Sequence, residues 1–365
     1  MRVFFDHQTF SNQLYGGISR YFCELISGIN KTEQHKAHLS LLWSNNIHLK
    51  EYNLSTLSYP FPNRHRLLQT SNQLFNKVDL KMGKYDIYHA TYFNDFLINS
   101  TNSRPFVTTF YDMTYERLSH KFTELSRDTL IIEQKKKIAS RAAHLIAISQ
   151  STKQDMIDIL GISPEQITVI HLGSSFAFNL PDANYSSDTI EKPYLLYVGN
   201  RSGYKNFRLF LKAASSLIKK HQIAIICAGG GKFDKDEITL ISSLSIAGLI
   251  KHVAIDDKIL PDLYRRAIAF VFPSLYEGFG IPILEAFSCS CPCVLSSTSS
   301  LPEVGGDAAL YINPLDNESI VDALERIITD TALRTDLIQR GQQRLSLFSW
   351  QNTVDQTISL YSKFI

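Results

Sequence analysis

Short apolar runs, separated by glycine-rich or polar loops and by stretches of helical periodicity, recur along the whole chain. In the first half the runs Arg2–Phe5, His38–Trp43, Ile87–Tyr88, Pro105–Phe110, His144–Ile148 and Ile167–Leu172 read as strands. Their nearly continuous apolar character is that of parallel strands covered on both faces. Helices are expected from within Tyr15–Tyr21 to about Gly28, over Glu124–Ala142, and over Thr152–Leu160, where the hydroxyls of Ser149 and Ser151 can cap the start. The alternation restarts with the strand Tyr194–Val198, the helix Phe207–Lys220 and the strand Ile223–Ala228. It continues through the strand Val253–Ile255, the helix Pro261–Ala267 and the strands Ala269–Phe272 and Cys293–Leu295. Helices over Glu318–Thr329 and Thr331–Ser346 follow, and Phe348–Trp350 starts a terminal one.

Between the halves, Gly173–Pro193 collects Ser, Asn, Asp and Pro, which is linker composition. The repeated alternation of strands and helices on each side predicts an α/β protein of two facing, doubly wound, Rossmann-like parallel-sheet domains with a cleft between them. The expected divisions are 1–180, 181–345 and a terminal helix within 346–365.

Composition narrows the function classes. A chain of 365 residues suits two cores rather than one, and 44% hydrophobic with 20% charged residues is the balance of a water-soluble globular protein. No apolar run approaches the roughly 20 residues that span a bilayer, and the opening Met1–Asp6 meets charge too soon for a signal peptide. The expected location is therefore cytoplasmic. Residues 1–180 hold 19 Lys and Arg against 15 Asp and Glu, whereas 181–365 hold 18 against 20. That asymmetry is too mild for nucleic acid, but it suits a first half that meets an anionic acceptor or a membrane surface. Cys289, Cys291 and Cys293 alternate without a second ligand pair or a nearby histidine, so buried thiols are expected and no metal.

The candidate chemistry centres on Phe270–Cys289. A strand ends at Pro273, a loop carries Glu277, Gly278 and Gly280, and Pro282 opens a helix that bears Glu285. Backbone N–H groups and the positive end of a helix dipole suit a phosphate there, with two carboxylates to accept from hydroxyls attached to it. A similar strand–glycine–helix start occurs at Gly16–Gly17, where the absence of Cβ atoms permits close approach of a phosphate. Arg201 and Lys205 follow the strand Tyr194–Val198 and can neutralise a diphosphate.

Two glutamates eight residues apart around Gly-Phe-Gly-Ile-Pro resemble the Glu-x7-Glu motif of family 4 retaining glycosyltransferases. The segment Gly199–Asn206 resembles that family's basic pair, and Leu301–Val304 its Leu-Pro-Glu-Val segment. The resemblance implies the GT-B fold and transfer of a hexose from a nucleotide diphosphate sugar with retention of configuration. Glu277 would meet the donor sugar, Glu285 the ribose, and the amides of Phe279, Gly280 and Ile281 the diphosphate, which Arg201 and Lys205 stabilise. His89 would stand in the cleft near the sugar. The resemblance further implies that no metal or cofactor is required and that the base is read by backbone near Gly229–Gly231 and Val253–Leu260. Tyr111-Asp112 departs from the His-Asp or His-Thr of many relatives. The Gly-Gly-Ile-Ser-Arg-Tyr opening is similar to that of bacterial surface-polysaccharide mannosyltransferases. GDP-mannose is thus the expected donor and a lipid-diphosphate-linked glycan the expected acceptor. A UDP-hexose transferase and a non-catalytic nucleotide-sugar-binding protein are the alternatives.

Three charged stretches receive simpler readings. The basic amphipathic stretch 60–84 is first an ordinary surface helix and, as the functional alternative, an inner-membrane contact. Lys135–Lys137 and the pair Asp234 and Asp236 are expected to be solvated.

Overall fold

The computed structural model describes residues 1–54, 56–58, 65–97, 104–126, 129–174, 192–201, 203–254 and 259–365. Most of the expected linker and Ile255 lie outside these residues. The chain divides into two compact units, Met1–Gly173 with Trp350–Ile365, and Ser174–Ser349.

The first unit begins with β1 (Arg2–Phe5), α1 (Gln8–Asn12), α2 (Gly17–Lys31), β2 (Lys36–Leu39), α3 (Ile47–Glu51) and α4 (His65–Met82). It continues with β3 (Ile87–Ala90), β4 (Phe106–Phe110), α5 (Thr114–Leu118), α6 (Thr123–Ser126) and α7 (Thr129–Ala139). β5 (His144–Ala147), α8 (Gln150–Leu160) and β6 (Ile167–Val169) close the sheet, whose order is β2-β1-β3-β4-β5-β6. Every described pairing is parallel.

The second unit holds β7 (Tyr194–Val198), α9 (Phe207–Lys220), β8 (Ala224–Ala228), α10 (Lys235–Ser243), β9 (Ile250–Val253) and α11 (Ile259–Arg266). Then come β10 (Ala269–Phe272), α12 (Ile281–Ser288), β11 (Cys293–Ser296), α13 (Leu301–Gly305) and β12 (Ala309–Ile312). α14 (Asn317–Thr329) and α15 (Thr331–Leu345) complete it, on a parallel sheet of order β12-β11-β10-β7-β8-β9. The final helix, α16 (Trp350–Tyr361), belongs to the first unit.

Each sheet reverses its winding once. In the first unit the chain steps from β1 outward to β2, then crosses back so that β3 lies on the other side of β1. In the second it winds β7-β8-β9 and then returns to place β10 beside β7. At such a reversal the loops leaving the two neighbouring strands splay apart, which makes the carboxyl end of that pair the natural ligand position. The expected strands lie close to the observed ones except at β2, which ends at Leu39 rather than Trp43, at β6, which ends at Val169 rather than Leu172, and at β9, which occupies Ile250–Val253; β12 has no counterpart among the expected strands. The helix expected over Glu124–Ala142 is represented by α6 and α7, between which residues 127 and 128 lie outside the described residues.

The cores follow from the strand runs. Leu195, Tyr197, Ile225, Cys227, Val271 and Val294 are buried under α9 and α14, whose Phe207, Phe210, Leu217, Ile320 and Leu324 form the opposing layer. In the first unit α16 packs on α2 where Gly28 lets Val354 approach; a Cβ at Gly28 would stand 2.5 Å from Val354 Cγ2. All five cysteines are buried, and burial pushes each thiol upward from its ordinary pKa.

Candidate active site

The second unit's reversal point lies between β7 and β10, and it brings the expected residues of both loops together. Lys205, in the turn after β7, places Nζ 2.7 Å from Glu277 Oε1 in the loop after β10. Their side chains keep only 16% and 14% exposure, so the pair is partly shielded but reachable. The Lys205 ammonium also sits over the rings of Tyr204 and Phe272, at 5.0 and 5.7 Å from their centroids. Leu275 N–H donates to the Tyr204 carbonyl, which joins the two loops through the backbone.

Three hydroxyls hold the Glu277 loop from the far side. Ser299 Oγ accepts from Glu277 N–H, and Ser300 Oγ–H lies 2.9 Å from both the Glu277 and Phe279 carbonyls. Thr298 Oγ1 donates to the Leu275 carbonyl. These residues were legible only as the flank of the Leu-Pro-Glu-Val segment. Gly280 then starts α12 with φ of 106°, a left-handed conformation, and its absent Cβ leaves room for Ile283 Cδ1 and Leu301 Cδ2, at 2.9 and 3.1 Å from where it would be. No side chain caps the N-terminus of α12, and Pro282 has no N–H to satisfy. Glu285, one turn into α12, is buried, and its Oε2 accepts from the hydroxyl of the fully buried Tyr264 at 3.2 Å.

Arg201, expected to face a diphosphate, is engaged by Glu237 and by the loop after β8. Its Nε is 2.7 Å from Glu237 Oε1, and its side chain keeps 3% exposure. Nη1 donates to the Gly229 carbonyl, and Nη2 to those of Gly231 and Lys232 and to Glu237 Oε2. The guanidinium lies 4.9 Å from the centroid of the Phe233 ring. Freeing it would leave the carboxylate of Glu237 buried and uncompensated, a cost of about 3–5 kcal/mol. Glu237 escaped the sequence reading, although Asp234-x-x-Glu237 is a capping-box signature. The structure realises both halves of that box at the start of α10, so Asp234, exposed to solvent as expected, also serves as a helix cap.

In the first unit, β1 and β3 flank the reversal, and Asp6 fills it. This fully buried carboxylate accepts from Tyr88 Oη, Gln8 Nε2, the backbone N–H groups of Gln8 and Thr91, and Thr91 Oγ1. Gly16 caps α2 in extended backbone and Gly17 is its first residue, so neither needs left-handed freedom. Gln13 Oε1 accepts from Ser19 N–H across this helix start.

His89 is not at the end of its strand but within β3, fully buried. Its Nδ1 meets Tyr361 Oη at 2.5 Å and its Nε2 meets Thr109 Oγ1 at 3.0 Å, so both ring nitrogens serve the interior of the unit. Burial lowers its pKa to about 3. The expected sugar contact is therefore corrected: this is a core histidine that ties α16 to the sheet. Tyr111, the departure from the His-Asp pattern, is likewise buried. Lys135 is corrected as well. It is buried rather than solvated, with Nζ 3.1 Å from Glu116 Oε2 and 2.9 Å from the Asp112 carbonyl.

α4 inverts the ordinary pattern of a surface helix. Its buried face is Leu68, Asn72, Asn76 and Leu80, whereas Leu67, Leu74, Val78 and Met82 are exposed. The asparagines replace apolar burial with hydrogen bonds to the backbone of Leu42 and Trp43, Ser40, and His7. The expected stretch 60–84 begins before the described residues, which resume at His65. Among the described residues, no helix is long and apolar enough to cross a membrane.

Two parallel-sheet units with a lysine–carboxylate pair and an open helix start at a reversal point define an α/β protein of the glycosyltransferase GT-B fold. The same architecture recurs in sucrose-phosphate synthase from Thermosynechococcus elongatus, at TM-score 0.77 and 18% identity over 99% of this chain and 98% of that one. It recurs also in Anabaena HepE in complex with UDP and glucose, at TM-score 0.72 and 18% identity over 99% of each chain. The chain belongs to the family 4 glycosyltransferases: residues 15–175 match the family described as Glycosyltransferase Family 4 and residues 186–344 the one described as Glycosyl transferases group 1. It is 38% identical to Escherichia coli O-antigen chain mannosyltransferase B over 46% of this chain and 45% of that protein. It is 29% identical to the E. coli serotype-specific mannosyltransferase WbdA over 62% of this chain and 29% of that protein. The chain thus matches less than half the length of these two curated relatives.

Proposed function

We propose that this protein is a retaining glycosyltransferase that moves mannose from GDP-mannose to a hydroxyl of a growing bacterial surface glycan carried on a lipid diphosphate. The observation that carries the reading is the Lys205–Glu277 pair beside the uncapped start of α12. A diphosphate entering there meets the Lys205 ammonium and the positive end of the helix, and it releases the Glu277 carboxylate to accept from sugar hydroxyls. The C1–O bond to the diphosphate breaks as the acceptor oxygen bonds to C1 on the same face, and the acceptor proton passes to the departing phosphate oxygen. Charge already aimed at the leaving group is the main catalytic contribution, on the order of a few kcal/mol per donor. It comes from protein groups, so the reaction needs no metal. Glu285 would meet the ribose in exchange for its bond to Tyr264.

The sugar and acceptor class rest on the similarity to O-antigen mannosyltransferases. A peripheral contact with an anionic inner-membrane face draws on the outward apolar stripe of α4 and on Lys77, Lys81 and Lys84 beside it.

The test is thermal-shift binding of GDP-, UDP-, ADP- and dTDP-sugars with EDTA present, followed by transfer from the nucleotide sugar that binds and determination of the product anomer. The expected result is a rise in melting temperature with GDP-mannose, lost in Lys205→Ala, and an α-linked product. A shift confined to UDP-hexoses would replace the donor. No shift with any nucleotide sugar would refute catalysis of this kind.

A further inference from the structure

We propose that Arg201 and Glu237 form a strap that fixes the Gly229–Lys232 loop, and that Arg201 is a positioning residue for the nucleoside end of the donor rather than a diphosphate ligand. The inference rests on the nucleotide-sugar reading above for the identity of the ligand, but not for the strap itself.

The loop needs such a strap. Gly229, Gly230 and Gly231 hold φ of 78°, 71° and 76°, three consecutive left-handed residues with maximal freedom to lose. One guanidinium gathers the carbonyls of Gly229, Gly231 and Lys232, and Glu237 holds the guanidinium in turn. Gly230 is closed in from the other side: a Cβ there would lie 2.4 Å from the Gly199 carbonyl oxygen and 3.0 Å from Arg201 Nη1. Glu237 is itself set by the capping box of α10, so the chain of support runs from a helix start to a loop at the carboxyl end of β8. β8 is the neighbour of β7 on the side away from β10. The strap therefore lies on the flank of the reversal point opposite the Lys205–Glu277 pair, where the part of the ligand beyond the diphosphate would extend. Arg201 supplies its charge to Glu237, leaving Lys205 as the cation for the diphosphate.

Two measurements on the full chain decide this. The first is hydrogen exchange of the amides at 229–232 without ligand, in Glu237→Gln and Arg201→Leu against the parent. Exchange should rise at least about tenfold in both, while the strands β7 and β10 stay protected. Unchanged exchange overturns the strap. The second is the affinity for GDP and for GMP. Arg201→Leu should weaken both by the same factor, leaving their ratio unchanged, and adding Glu237→Gln should cost nothing further because the two act as one unit. Lys205→Ala should instead weaken GDP about tenfold more than GMP. An Arg201 variant that lowers the GDP-to-GMP preference as Lys205→Ala does returns Arg201 to the diphosphate and overturns the inference. Absence of nucleotide binding by the parent refutes the proposed function, and the exchange measurement still decides the strap. Should Arg201→Leu fail to fold, Glu237→Gln alone carries both measurements, since it removes the charge and keeps the shape.

Discussion

Acidification should unfold the first unit well before simple surface titration would. His7 and His89 are buried in that unit, and desolvation lowers their pKa values from 6.5 to about 4 and about 3. His7 has Nδ1 against Ser11 Oγ at 2.8 Å, and its Nε2 has no hydrogen-bond partner among the described residues. Protonation would therefore bury an unpaired N–H donor as well as a charge. Because the folded values lie below the unfolded one, the unfolded chain binds more protons. The stability contributed by the neutral rings is fully present above pH 6.5 and is lost as the pH falls toward 4 and 3. At pH 5, about 1.5 units below the unfolded value, each histidine costs about 2 kcal/mol, or about 4 kcal/mol for the two. His144, also lowered by burial and by Lys363 and Lys153, adds in the same direction. Glu24, raised by burial, opposes it by taking up a proton in the folded state first. Both tryptophans of the chain, Trp43 and Trp350, lie in the first unit, so their fluorescence reports its unfolding without the second. Urea titrations followed by tryptophan emission between pH 7.5 and 5 should show the loss. His89→Gln, whose amide can still meet Tyr361 and Thr109, should remove about one proton from the dependence. A pH dependence identical in His89→Gln and the parent would refute the assignment of that proton to His89.

Two further substitutions test the packing of the same unit by the same assay. Gly28→Ala should destabilise it, because overpacking against Val354 costs about 1–3 kcal/mol while the gain in helix propensity is about 1 kcal/mol; in a Val354→Ala background the sign should reverse. Lys135→Met should cost about 3–5 kcal/mol by leaving the buried Glu116 carboxylate without its cation, and adding Glu116→Leu should recover most of it.

The elements legible in the sequence are those whose signal is local. β1, β7, β10 and α9 have the bounds that their apolar runs and flanking turns imply, and Ser149 caps α8 through the Thr152 N–H. The encounter of Lys205 with Glu277 follows from the observed pairing of β10 with β7, which puts the two loops on adjacent strands and which the local pattern does not state. Nor could local pattern supply the direction of a polar side chain. Arg201 and Lys135 turned inward because a carboxylate 36 or 19 residues away awaited each of them. His89 turned inward toward Tyr361, 272 residues away. On α4 the periodicity was present but its face was displaced, because Asn72 and Asn76 found backbone partners inside, between Leu68 and Leu80, and left Leu67 and Leu74 outside. Charge and hydropathy describe what water prefers, and a distant partner can outweigh that preference.

The return of α16 to the first unit has a consequence for the order in which the molecule can be made. A ribosome synthesises residues 174–349 before it reaches Trp350, so every residue of the second unit is made while the first still lacks a helix. Until then, the ring nitrogen of His89 that meets Tyr361 and the surface of α2 around Gly28 have no native cover. The first unit therefore cannot be completed before the second has been made, a departure from the usual N-to-C sequence of domains. The nascent first unit waits through the synthesis of the whole second unit with an apolar face uncovered, the interval in which a chaperone would find it.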